Sequence, residues 1–179
     1  MDDATAKSPK VPGLEPIFRH LDDADQKWQE VKRVRKADGT TASIWEKWLA
    51  FSPDPQYLSL YAKWDPGIVT RKHGHYSPHV IFVIEGDMWC GDRYCPAGTH
   101  VELPLGASFG PFVSGPGGTK LMEVMMGDPR SWGDDPEAFQ RALAAQGATP
   151  LPDPEIEMPD WLQDLRKRWI VDGAPVDKS

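Results

Sequence analysis

Between residues 27 and 127 the chain never runs far without a signal to turn. Short stretches rich in Val, Ile, Trp, Tyr and Phe are punctuated by "ADGT", "SPDP", "WDPG", "EGD", "CGDR", "PAG", "PLG" and "GPGG". Gly, Pro and Asp at this spacing reverse the chain before a long helix can form, and the runs between them suit strands. The pattern predicts an all-β barrel or sandwich. "SGPGGTK" looks superficially like a phosphate loop but lacks the G-x4-G-K-[ST] order, so it is read as a hairpin turn between two strands. Cys90 and Cys95 flank the turn around "GD" and are placed to face each other across a hairpin. They form no disulfide framework and are expected as free thiols.

The flanks differ. Residues 1–26 are polar and Pro-rich with an acidic "DDAD" run, and read as an N-terminal arm. Residues 128–179 turn to a helical pattern. "DDPEAFQRALAAQG" has Asp135 as N-cap, Pro136 at the first helical position and Gly147 as the stop. "MPDWLQDLRKRW" suggests a second short helix with basic residues in its last turn. Neither is long enough to stand alone, so both are expected to pack on the barrel or on a neighbouring subunit. The 179 residues suit one domain, and the net charge of −7 argues against nucleic acid or an anionic membrane surface as partner. No stretch approaches the roughly 20 apolar residues of a membrane span. "MDDATAKSPKVPGLEP" lacks an apolar signal-peptide core, which makes the cytoplasm the expected compartment.

Three of the five histidines crowd into "GIVTRKHGHYSPHVIFVIEG". On a strand, His73 and His75 point to the same face, roughly 6.5–7 Å apart, and the intervening Gly74 leaves the opposite face clear. "YSP" turns the chain, and His79 opens the next strand, where it can swing back toward the pair. Three neutral imidazoles on adjacent strands suit Zn, Fe, Ni, Cu or Mn with positions left open. Two further residues could join them. Glu123 in "TKLMEVMMG" shares its face with Leu121 and Met125, and a carboxylate inside a barrel is costly unless paired, protonated or on a metal. It is a candidate ligand or general base. His100 shares its face with Glu102 and is expected to point outward. Arg71 projects from the same face as His73 and could anchor an anionic substrate.

The histidine stretch resembles the first motif of the cupins, G-x5-H-x-H-x3-E-x6-G. Gly67, His73, His75, His79 and Gly86 fit its spacing without a gap, with His79 where the family usually has glutamate. The second motif, G-x5-P-x-G-x2-H, fits Gly98, Pro104, Gly106 and Phe109, with Phe109 in place of the family's histidine. The resemblance covers residues from about 42 to 127. It implies a cupin-type β-barrel (a double-stranded β-helix) over 27–127, carrying the polar arm and short C-terminal helices. It also implies one divalent transition metal on His73, His75 and His79, with Fe(II) favoured over Zn, Ni or Mn. Without a carboxylate ligand such an ion is a stronger Lewis acid, and Phe109 would leave one side of it apolar.

The implied chemistry has three forms. One is a dioxygenase cleaving or oxidising a small diketone or hydroxyketone chelated at the metal, with Glu123 and Arg71 as catalytic residues. The second is a non-oxidative lyase or isomerase in which Glu123 moves a proton. The third is a ligand-binding or sensor barrel without catalysis. The expected partner is a small carbonyl or carboxylate compound, and a homodimer or larger homo-oligomer is expected of the assembled protein.

Overall fold

The structure, a computed structural model, describes residues 15–156. Eleven strands and one helix follow in the order β1 (Gln29–Arg35), β2 (Thr41–Pro53), β3 (Gln56–Trp64), β4 (Val69–Thr70), β5 (His73–His75), β6 (His79–Cys90), β7 (Arg93–Pro96), β8 (His100–Leu103), β9 (Phe112–Met125), β10 (Ser131–Gly133), α1 (Pro136–Gln146) and β11 (Thr149–Pro150). The main sheet runs β11-β1-β2-β3-β9-β6-β7, with β4 added on β9 and β8 on β6, while β5 and β10 pair separately. Every pairing is antiparallel. The fold is therefore the all-β barrel that the punctuated sequence predicts.

Alternation decides which side chains enter the barrel. On β3 the buried residues are Leu58, Leu60, Ala62 and Trp64, and in the closing stretch of β9 after Lys120 they are Leu121, Glu123 and Met125. Register stacks these into tiers that cross several strands. Trp48, Leu60, Glu123 and Ile81 form one tier; Glu46, Ala62, Leu121 and Val83 form the next. His79 stands opposite Met125, one tier further along. Buried apolar side chains such as Leu60, Ile81, Val83, Leu121 and Phe112 surround these polar ones and supply most of the burial that stabilises the fold.

Two local expectations are corrected. "SGPGGTK" is not a hairpin turn between separate strands, because β9 runs through it. Gly86 faces Thr119 and Met88 faces Ser114, so the glycine-rich stretch swells out as a bulge while pairing with β6 continues on both sides. The two cysteines are free, as expected, but they are not direct cross-strand partners: Cys90 faces Arg93 and Cys95 faces Met88.

The segments outside the barrel strands tie back onto it. Helix α1 has the expected ends: Asp135 accepts from the Ala138 N–H, Pro136 opens the helix, and Gly147 closes it in the left-handed conformation. β11 then covers the edge of β1, and β10 pairs with β5. On the outer face, the Lys47 ammonium is buried and donates to the Leu21 carbonyl of the leading arm. Trp28 packs under both Lys47 and Lys63, 5.0 and 5.5 Å from the ring centre. The second helix expected over residues 158–169 lies outside the described residues.

Candidate functional site

The strand geometry brings the three histidines of the first motif together. His73 and His75 project from the same face of β5, and their ring centres lie 5.0 Å apart. His79, at the start of β6, places its ring 4.6 Å from that of His75. It is deeply buried, with 1% of its side chain exposed. The face opposite the histidine pair is filled rather than clear. A Cβ on Gly74 would lie 2.3 Å from the Trp132 indole and 2.5 Å from the Ala107 carbonyl oxygen. Gly74 is thus the one residue type that lets β10 and the 104–109 turn close on β5.

Hydrogen bonding sets the proton on each ring. A carbonyl oxygen can only accept, so His73 donates from Nδ1 to Arg71 O at 2.9 Å, and His75 from Nδ1 to Pro129 O at 3.0 Å. His79 donates from Nε2 to the Glu123 carboxylate at 3.0 Å. The other ring nitrogen is left outside these bonds: Nε2 on His73 and His75, Nδ1 on His79. His75 Nε2 and His79 Nδ1 are buried and have no hydrogen-bond partner among the described residues. Burial, and next the neighbouring His75, pushes His73 down to about 3, and burial with His79 pushes His75 down to about 4. Both rings are therefore neutral at physiological pH, the state in which imidazole can bind a divalent transition metal.

Phe109 occupies the position that the second motif gives to a ligand. Its backbone N–H donates to His73 O at 2.9 Å, and its carbonyl accepts from the His73 N–H at 3.0 Å. Its ring lies 5.0 Å from His73 and 5.4 Å from His79. A phenyl ring thus forms the apolar wall beside the imidazoles. Among the described residues, no group of three or more His, Cys, Asp or Glu side chains stands in an arrangement that holds a metal ion as it is. Glu123 takes one nitrogen of His79, and the second motif offers no fourth donor.

The remaining candidates separate cleanly. Glu123 lies inside the barrel as its strand parity predicts, and its side chain is 8% exposed. His100 is exposed on β8. The Arg71 guanidinium donates to Ser131 Oγ at 3.2 Å and packs beside Gly133. It also contributes to the lowering at His73.

Sequence reasoning missed Glu46. It stands on the inner face of β2 between Ile44 and Trp48, opposite Ala62, the smallest side chain of its tier. Its carboxylate accepts from Trp48 Nε1 at 2.8 Å, which leans it toward the tier of Glu123. Desolvation, and next the Glu123 charge, pushes Glu46 up to about 7. The signal is present in "IWEKW", where Glu46 is flanked at i±2 by the apolar residues Ile44 and Trp48.

No protein-family model matches the chain, and no curated protein matches it by sequence. Solved structures match in shape. The chain is similar to a Methylibium petroleiphilum PM1 protein described as a candidate acetylacetone dioxygenase, with 14% identity and a TM-score of 0.55, covering 89% of this chain and 98% of that one. It is similar to an acetylacetone dioxygenase from Acinetobacter johnsonii at 15% identity and a TM-score of 0.52, over 78% and 99% of the two chains. An RmlC-like cupin from Ralstonia eutropha JMP134 aligns at 14% identity and a TM-score of 0.51, over 76% and 93%. With both motif spacings in place and this shared architecture, the chain has the cupin fold.

Proposed function

We propose that the chain is a metal-dependent cupin enzyme acting on a small carbonyl compound, with His73, His75 and His79 as the protein ligands. One observation carries this reading: three imidazoles lie ring against ring inside the barrel, and two of their ring nitrogens are buried without a hydrogen-bond partner among the described residues. A buried acceptor left unpaired costs about 1–3 kcal/mol, which a ligand to that nitrogen would recover. The all-nitrogen donor set suits Fe(II), with Zn, Ni or Mn as other occupants. Such an ion, when bound, supplies Lewis acidity toward a chelating diketone or hydroxyketone.

The chain's own residues supply the rest. Glu123 accepts the His79 Nε2 proton and holds that ring's tautomer. Arg71, beside His73, is placed to hold an enolate or carboxylate. Phe109 excludes water from one side. Oxidative cleavage with dioxygen is the favoured reaction, in keeping with the acetylacetone dioxygenase and the candidate acetylacetone dioxygenase that share the fold. A non-oxidative lyase or isomerase is the second reading. It is favoured by two interior carboxyl groups, Glu46 and Glu123, of which Glu46 titrates near neutrality.

Elemental analysis of protein purified without added metal tests the proposal, followed by an oxygen-uptake screen of diketones and hydroxyketones. Bound iron with uptake supports the dioxygenase. Bound zinc, nickel or manganese with turnover but no uptake supports the second reading. Protein that holds no metal and takes up none on addition overturns both, and leaves a ligand-binding barrel.

A further inference from the structure

The segment that follows β9 acts on the site from outside the barrel strands. Pro129, whose carbonyl receives the His75 proton, stands between two residues locked to each other. Asp128 Oδ1 accepts from the Arg130 backbone N–H at 3.0 Å and from Arg130 Nε at 2.8 Å. Asp128 Oδ2 accepts from Nε at 2.9 Å and also from Nη2. The pair is largely buried, with side-chain exposures of 8% and 14%. Buried ion pairs add little net stability, because desolvation offsets most of their attraction. Their geometric effect is larger here, since a bonded ring closed around Pro129 fixes the direction of its carbonyl.

A second set of bonds clamps this turn to the histidine loop. Ser77 Oγ donates to Asp128 O at 2.9 Å, and the Tyr76 N–H donates to Arg130 O at 3.1 Å. The Met126 N–H donates to Pro78 O at 2.9 Å, and Ser131 is the register partner of His75. Gly127, at φ +150°, admits no Cβ without meeting Ser77 at 2.9 Å. Gly127 thus leaves room for the Ser77 side chain that bonds Asp128 O.

We propose that Asp128 and Arg130 are positioning residues of the site. Their pair holds the Pro129 carbonyl where it keeps the His75 proton on Nδ1, and so leaves the buried Nε2 lone pair for a metal. The part concerning metal rests on the reading of His75 as a ligand; the part concerning the proton does not. Partners of this kind on ligating histidines typically change metal affinity by roughly 10–100-fold when removed.

The test uses the full-length, metal-free protein with 15N-labelled histidine, and Co(II) as the probe metal. Long-range proton–nitrogen correlation reads the tautomer of each ring, and chelator competition reads Co(II) affinity. In the parent protein His75 is expected wholly as the Nδ1–H form. In Asp128→Ala it becomes a mixture while His73 keeps its tautomer, and Co(II) affinity falls about 10–100-fold. Arg130→Gln carries the same test should Asp128→Ala not fold. A folded variant in which His75 stays wholly Nδ1–H, with Co(II) affinity within about twofold of the parent, overturns the inference. Parent protein that takes up no Co(II) sinks the metal reading instead, and the tautomer comparison then decides this one alone.

Discussion

Two stretches meet at the centre of the barrel, and they carry opposite chemistry. Residues 67–86 deliver three imidazoles to the interior; residues 98–109 deliver a phenyl ring at the matching place. Yet their backbones keep a reciprocal pair of hydrogen bonds between His73 and Phe109. The difference teaches that the barrel's register depends on the backbone and on the glycines of the turns, while the side chain displayed at each crossing is free to vary. A fold of this kind can keep its shape while the side chain at one motif position is exchanged for an apolar wall.

The comparison can be broken most severely from the imidazole side. His75→Ala is expected to reduce the metal content of purified protein to background, because that ring is in contact with both other imidazoles. Full metal retention, measured by elemental analysis, would refute the ligand assignment. Converting the apolar side is the next largest effect. Phe109→His is expected to tighten Co(II) binding by about tenfold or more, or ~1.4 kcal/mol, and to lower turnover by closing the position that substrate needs. Unchanged affinity and turnover would show that Phe109 does not border the ion.

The contact between the two stretches gives a third measurement. A Cβ on Gly74 would strike both Trp132 and the Ala107 carbonyl. Gly74→Ala is therefore expected to destabilise the protein by about 1–3 kcal/mol, the range for overpacking a tight site. Chemical denaturation reads this, and an unchanged midpoint would mean the two segments are looser than they look. The smallest effect concerns the acid partners. Glu46 is raised from 4.5 to about 7 in the folded protein. As pH rises between those values the unfolded chain releases this proton before the folded one does, so stability falls. Glu46→Gln is expected to remove that decline; a stability profile from pH 5 to 8 identical to the parent's would discount the shift.

Much of this architecture was legible beforehand, for reasons tied to particular residues. The ends of α1 followed from Asp135, Pro136 and Gly147, whose preferences are local and need no tertiary information. Glu123 was placed inward by strand parity alone, and the burial pattern of β9 agrees. His100 was sent outward by the same argument and is exposed. What escaped depended on contacts between distant segments. Trp132 filling the face behind Gly74, Pro129 reaching His75, and Glu46 leaning toward Glu123 each join residues far apart in the chain. The bulge at "SGPGG" escaped for another reason: glycine and proline mark a departure from regular pairing, and do not say whether the strand resumes afterward.

Pro129 and β10 come after β1 to β9 in the order of synthesis. A ribosome-bound chain that has emerged only through residue 127 already carries all three histidines, but it lacks the Pro129 carbonyl that accepts the His75 proton in the folded protein. During translation the amino-terminal part of a chain organises first, so the contact that fixes the His75 proton is added only after the strands that carry the histidines.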